Sequence, residues 1–226
     1  MNALHPRRPD TAGGLLAGER EAAVQLLARA FRDNPLNVAV IGSDDPARRQ
    51  RVNAHGLRSL LPTAHAHGRV RVRRVGGELA AVLIAAPPAA FPLPAASFAR
   101  RLRSSLGQGL RVARRWAAVF ETLAPLHPPE PHWYLSTLGV DPRQQRRGLG
   151  WALLADWLAD VDRDASCAYL ETDRPENVAF YERAGFVVLG ETQIFSAPVW
   201  RMRRPDMSAP GVSGPDVSGA GAGARH

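Results

Sequence analysis

The chain has 226 residues, 45% hydrophobic and 22% charged, which suits one globular domain of ordinary core size with tails. Its formal charge is +8 and all 29 basic residues are arginine, so it attracts anions; a polyanionic cofactor satisfies that balance, and so would nucleic acid. A single cysteine, Cys167, excludes an internal disulfide and a cysteine-based zinc cluster, and no apolar run reaches membrane-spanning length. The first residues lack the apolar core of a secretory signal, so the cytoplasm is the expected location.

Residues 1–13 are expected to be poorly ordered, residues 14–204 to form one domain, and the Gly/Ala/Ser/Pro-rich tail 205–226 to be disordered. A short first strand is placed near Gly14 to Ala17. Glu19 to Phe31 reads as a helix with Val24, Leu27 and Phe31 on one stripe. Asp44 or Asp45 caps a second helix, with Pro46 in its first turn, running toward Leu61. Arg69 to Val75 and Glu78 to Ala86, joined by Gly76-Gly77, form a hairpin. Arg69, Arg71 and Arg73 share one of its faces, as a solvated face or a binding patch. A Pro-rich break at 86–95 precedes a long helical region, Arg100 to Leu123, weakened around Gly107 and Gly109. Its arginines read as a solvent-facing basic helix, with a membrane or nucleic-acid surface as the alternative.

Strand His132 to Val140 leads into Gln145-Arg-Arg-Gly-Leu-Gly150, and a helix begins at once. The first N–H groups of a helix lack intrahelical partners, and its dipole favours an anion there. Gly148 and Gly150 let a ligand approach the backbone. Arg146 and Arg147 add forked donors suited to phosphate. Trp151, Leu154, Leu158 and Val161 recur at helical spacing, with Asp156 and Asp160 between them. Without lysine this is no P-loop, and Leu153 occupies the third glycine of the dinucleotide fingerprint. The remaining order is strand Cys167–Thr172, helix Pro175–Ala184, strand Phe186–Glu191 and a last strand near Val199–Arg203. Cys167 reads as a packed thiol. The predicted class is α/β, with a mixed sheet, helices on both faces and the loop at the C-terminal end of a strand.

Q-x-x-G-x-G at 145–150, followed by Asn177, Phe180-Tyr181, Arg183 and Gly185-Phe186, resembles the two signatures of the GNAT superfamily of N-acetyltransferases. The segments His127–Pro142, Leu170–Thr172 and Ala179–Phe186 are similar to the puromycin N-acetyltransferase branch and its actinobacterial relatives. The resemblance spans roughly residues 20–204 and is specific over about 120–190. It departs at Arg146, where the family loop usually has glycine, and residues 36–125 match only in outline.

The resemblance implies a GNAT fold, mainly antiparallel, whose splayed strands form a slot for acetyl-coenzyme A. It also implies direct acetyl transfer in a ternary complex, without a metal. The cofactor-binding candidates are Leu138, Val140, Gln145, Arg146, Arg147, Gly148, Gly150 and Asn177. Tyr181 is the candidate acid for the leaving thiolate, and an N–H near Val140 the candidate oxyanion donor. Glu171 is the candidate base, or else a structural partner. Glu121, His127, His132 and Trp133 are further candidates on the acceptor side. His65 and His67, two apart, lack further ligands for a metal. The expected acceptor is a primary amine of a small molecule, with an aminonucleoside antibiotic as the candidate, in resistance or specialised metabolism. A protein or peptide amine is the alternative. A basic nucleic-acid-binding protein or an acyl-coenzyme A sensor ranks below both. No nucleic-acid or membrane partner is expected, and the oligomeric state is left open between monomer and homodimer.

Overall fold

The structure, a computed structural model, describes residues 11–207. One seven-stranded sheet runs in the order β1-β2-β3-β4-β5-β7-β6. The strands are β1 Thr11–Gly14, β2 Arg69–Val75, β3 Glu78–Ala86, β4 Trp133–Val140, β5 Ala168–Thr172, β6 Val187–Ile194 and β7 Ala197–Arg204. Only β4 and β5 pair in parallel; all other neighbours are antiparallel. The helices are α1 Arg20–Ala30, α2 Pro35–Ile41, α3 Pro46–His67, α4 Phe98–Gln108, α5 Leu110–Leu123, α6 Leu149–Arg163 and α7 Pro175–Glu182.

The first strand begins at Thr11, three residues before the expected start, so residues 11–13 are ordered by pairing with Val72 to Arg74. The rest of the expected N-terminal segment, and the tail beyond residue 207, lie outside the described residues. α3 runs past its expected end at Leu61 and through Pro62, because Leu61 and Ala64 are buried under the sheet. Asp45 is its cap, accepting from Ala47 N at 2.8 Å. The expected weakness near Gly109 is a real break, where φ of +89° separates α4 from α5.

Helices cover both faces. α6 packs with Leu153, Leu154, Trp157, Leu158 and Val161 against alternate residues of β3, β4 and β5. On the opposite face α1 and α3 cover Val72, Val82 and Ile84. α2 and α5 cover Ile194 and Val199 at the far end. Trp151, expected on the buried stripe of α6, is exposed and meets Phe180 edge-on at 5.8 Å. Of the β2 arginines expected on one face, Arg69 is exposed, while Arg71 and Arg73 are paired rather than solvated. Arg73 pairs with Asp156 at 2.7 Å, and Arg71 with Asp160, both on α6. Strand period 2 and helix period 3.6 there meet as an ion-pair seam.

A bulge in β4 decides where the sheet opens. Ile84 pairs with Thr137 but Ala85 with Leu135, so Ser136 is the extra residue. The extra residue resets the alternation. Leu138 and Val140 thereby stay on the α6 face with Trp133 and Leu135. Gly139 then turns to α1, where a Cβ would lie 2.6 Å from Leu27 Cδ2. β5 follows β4 only through Trp133, Tyr134 and Leu135, its partners being Ala168, Tyr169 and Leu170. Beyond that point the two strands part.

The β4–α6 loop is tied back to the domain by a buried carboxylate. Asp141 accepts from Arg143 N at 3.0 Å and from Arg29 Nη2 of α1 at 2.7 Å. Burial alone would raise its pKa, but the bonds from Arg143 and Arg29 outweigh it and hold the group at about 2. That value lies below the ordinary 3.8, so the contribution is complete above pH 4 and lost as pH falls toward 2. Asp141→Asn is expected to cost about 2 kcal/mol at pH 7 in denaturant melts. The difference from the parent should shrink as pH drops below 4. An equal difference at pH 7 and pH 3 would remove the charge from the account.

Candidate active site

Where β4 leaves β5, no strand pairs with it on that side. Asp141 N donates to Ala80 O at 2.9 Å, which makes this pair a hydrogen-bonded one. Antiparallel pairs alternate, so Gly139 and Thr137 also bond to β3, while Leu138 and Val140 turn their N–H and C=O into the gap. Backbone groups left without a neighbouring strand fit an extended ligand lying in the gap like an added strand.

The gap ends at the loop 143–150. Gly148 caps α6 at φ +78°, and nothing lies within 4 Å of where its Cβ would be. The first bond of α6 is Ala152 N to Gly148 O, so the N–H groups of Leu149, Gly150 and Trp151 have no helical acceptor. Arg146 takes φ +60°, the left-handed region, at a cost of about 1 kcal/mol for a side chain with a Cβ. Glycine at this place in the family loop would meet that backbone without the cost. Arg147 donates to the Gln144 side chain, and Gln145 Nε2 donates to Val140 O at 3.3 Å. Arg146 and Arg147 are exposed. Open backbone, a helix N-terminus and two cations make a cradle suited to a pyrophosphate.

α7 brings Asn177 and Tyr181 to the α6 side of the gap. Asn177 Nδ2 donates to Thr172 Oγ1 at 3.2 Å, at the end of β5. Tyr181 is buried in the α6-face core between Phe180 and Phe186, with centroids at 5.2 and 5.8 Å. Burial raises its phenol above the ordinary value, so it is protonated at neutral pH.

Glu171 lies on the other face. In β5 Ala168 and Leu170 face α6, so Tyr169 and Glu171 face away. Glu171 Oε1 is 3.1 Å from His127 Nε2, close but off the line of an aligned hydrogen bond. His127 Nδ1 is 3.4 Å from His132 Nε2, and His132 Nδ1 is 2.8 Å from Glu130 O. The carbonyl can only accept, so His132 Nδ1 carries hydrogen and its Nε2 is an acceptor. Burial lowers the His132 pKa despite that bond, which keeps the ring neutral. His127 Nδ1 must then donate to His132. That hydrogen bond leaves His127 Nε2 turned toward Glu171 Oε1.

Aromatic rings enclose this pair. Phe91 stacks on His127 at 4.6 Å, and Tyr169 and Tyr134 lie 4.5 and 5.0 Å from it. Burial, and then the Glu171 charge, raise both phenols. Of the sequence candidates, Glu171, His127 and His132 come together. Trp133 points to the α6 face, where Nε1 donates to Asp164 at 3.1 Å, and Glu121 is exposed on α5. Neither joins the cluster. Tyr134 and Tyr169 were readable from period 2, since Tyr169 is two residues before Glu171. Phe91 has no such signal, because the Pro-rich loop carries no periodicity.

Residues 111–186 match the family model described as Acetyltransferase (GNAT) family. A Corynebacterium glutamicum structure titled histone acetyltransferase HPA2 and related acetyltransferase is similar, with TM-score 0.64, 23% identity, and cover of 90% of this chain and 99% of that one. The Escherichia coli ribosomal-protein-S18-alanine N-acetyltransferase matches with TM-score 0.53, 16% identity, and cover of 91% and 99%. A Drosophila melanogaster polyamine N-acetyltransferase matches with TM-score 0.54, 15% identity, and cover of 86% and 99%. At these identities the structures establish the shared fold, and the family match runs from α5 through β4, α6, β5 and α7, and so takes in the elements that build the gap and its loop. Residues 111–186 therefore match the GNAT acetyltransferase family model, and the chain as a whole shares its fold with solved acetyltransferases.

Proposed function

We propose that this chain moves the acetyl group of acetyl-coenzyme A to the primary amine of a small molecule, directly and within a ternary complex. One observation carries the reading. Tyr181 and Glu171 lie on opposite faces of the sheet, and the parted strands β4 and β5 are where those faces meet. A reaction that needs an acid on one side and a base on the other finds both there.

Acetyl-coenzyme A would supply a thioester and a pyrophosphate. Gly148, Gly150, Arg146 and Arg147 would hold the phosphates, while Leu138 and Val140 offer backbone groups to the pantetheine arm. Asn177 would hold that arm from the far side, and the Val140 N–H would polarise the carbonyl. The amine arrives as an ammonium. The surrounding rings and the Glu171 carboxylate attract the cation, and Glu171, with His127 beside it, accepts the proton it must lose. The amine nitrogen then forms its bond to the carbonyl carbon as the carbon–sulfur bond breaks. Tyr181 gives its proton to the departing sulfur, since a buried phenol remains protonated and a free thiol ionises near 8.5.

The rings of Phe91, His127, Tyr134 and Tyr169 favour an acceptor with a flat aromatic part. An aminonucleoside meets that requirement, which agrees with the resemblance in sequence and with a setting in resistance or specialised metabolism.

Colorimetric thiol release from acetyl-coenzyme A, across a panel of amines including puromycin, tests the acceptor. Release with aminonucleosides is expected; release only with peptide amines would move the acceptor to proteins. Tyr181→Phe should lower kcat by about 10²-fold while calorimetry finds the acetyl-coenzyme A Kd unchanged. A fully active variant would remove Tyr181 as the acid. Glu171→Gln should lower kcat/KM by about 10²- to 10⁴-fold near neutral pH. Activity should return in part as pH rises and the amine deprotonates in solution. A pH profile parallel to the parent's would mean that Glu171 does not handle the proton.

A further inference from the structure

Helix α4 turns its apolar side outward. Its small and polar residues face α3. Ser104 Oγ donates to His55 O at 3.2 Å, the Gln108 side chain comes within 3.5 Å of the Cβ position of Gly56, and a Cβ on Gly107 would fall 2.2 Å from His55 Nδ1. Phe98, Leu102 and Leu106 recur every four residues along α4, and Leu110 opens α5 just past the break at Gly109. Residues at that spacing share one side of a helix. They are 79, 48, 68 and 62% exposed, and none belongs to the apolar clusters of the domain. A surface helix ordinarily shows the opposite arrangement.

The row is bordered by cations. At about 100° per residue, Arg101 and Arg103 fall on either side of it. Arg100, Arg111 and Arg114 extend the charge, and no acidic residue occurs between Glu78 and Glu121. None of these five arginines has a carboxylate within ion-pair distance among the described residues. Arg71, Arg73, Arg74 and Arg204 elsewhere are all paired. Much of the positive excess of the chain is thus unneutralised beside an exposed apolar ridge.

We propose that α4 and the start of α5 form a docking surface for an anionic phospholipid bilayer, to which the chain binds peripherally. Side chains standing out in a row from one helix form a ridge, to which a protein partner would have to bring a groove. A second copy would bring the same uncompensated arginines. A bilayer interface supplies both complements at once: Phe98 and the leucines enter the headgroup–acyl boundary, and the arginines reach lipid phosphates along their own stems. The solvent-facing reading of this helix accounts for its charge but not for its leucines. None of these residues belongs to the Glu171 cluster or to the loop 143–150, so the proposal stands apart from the reaction proposed above.

Co-sedimentation of the full chain with vesicles tests it. Binding to phosphatidylglycerol/phosphatidylcholine vesicles, and at least tenfold less to phosphatidylcholine alone, is expected, weakening as salt is raised. The double variant Leu102→Ser/Leu106→Ser should reduce partitioning about tenfold or more, with its thermal melt and acetyl-coenzyme A binding unchanged. Arg101→Gln/Arg103→Gln should also weaken binding to the anionic vesicles. No binding to anionic vesicles would overturn the proposal. So would binding that ignores the leucines, because a purely electrostatic patch would then suffice. Self-association, or capture of an acidic peptide, that depends on the same leucines in the absence of vesicle binding would give the surface to a protein instead.

Discussion

The opening between β4 and β5 is the constraint on which the rest depends. Three residues of parallel pairing hold the strands together, and then Ser136 adds one residue to β4 against β3. A bulge increases local twist and re-aims the strand that carries it. Here it keeps Leu138 and Val140 over the α6 core and directs Gly139 at α1. The strand leaves β5 without leaving the sheet, because β3 continues to pair with it. The cost is a row of backbone groups without strand partners on one side, which a structural strand in the middle of a sheet would not tolerate. Those groups are the means by which an extended ligand can be held between two well-packed halves.

Charged groups from distant parts of the chain hold the rims of this opening. Asp141, at the end of β4, is fixed by Arg29 of α1. Asp173, just past β5, accepts from Leu36 N at 2.8 Å and from Asn34 Nδ2 at 3.1 Å, so it caps α2 from outside. Burial raises the Asp173 pKa, against those bonds. Each carboxylate sits at the mouth of the gap, one on each strand. The β2 arginines that clamp α6 and the Arg204–Asp162 pair are further members of the same pattern, in which arginine fastens a helix to the sheet. Arginine suits this work because its fork reaches across a helix–sheet seam and bonds through more than one nitrogen.

Charge in this chain therefore divides into two kinds. Around the sheet Arg71, Arg73, Arg74, Arg203 and Arg204 pair with carboxylates, and they order structure. In α4 and α5, and at Arg146 and Arg147 of the loop, arginines stand without carboxylate partners among the described residues, where an anion from outside can meet them. The same residue type, read from composition alone, cannot be sorted between the two.

The hairpin of β2 and β3 was legible residue by residue, because Arg/Val alternation bounded by Gly76-Gly77 permits little else. So were α6 and its glycine entry, the order of β5 and α7, and with them the loop and the two helix positions Asn177 and Tyr181. These are local properties: periodicity, turn residues and a helix N-terminus act within a few positions. α2 was not legible, since it has seven residues and is capped by a carboxylate 137 positions away. The bulge at Ser136, the meeting of His127 with Glu171, the removal of Trp133 to the other face and the outward ridge of α4 were likewise decided only by packing. Each depends on which face of an element another element covers. That choice is made by contacts between residues far apart in the chain, and local sequence carries no energy term for it.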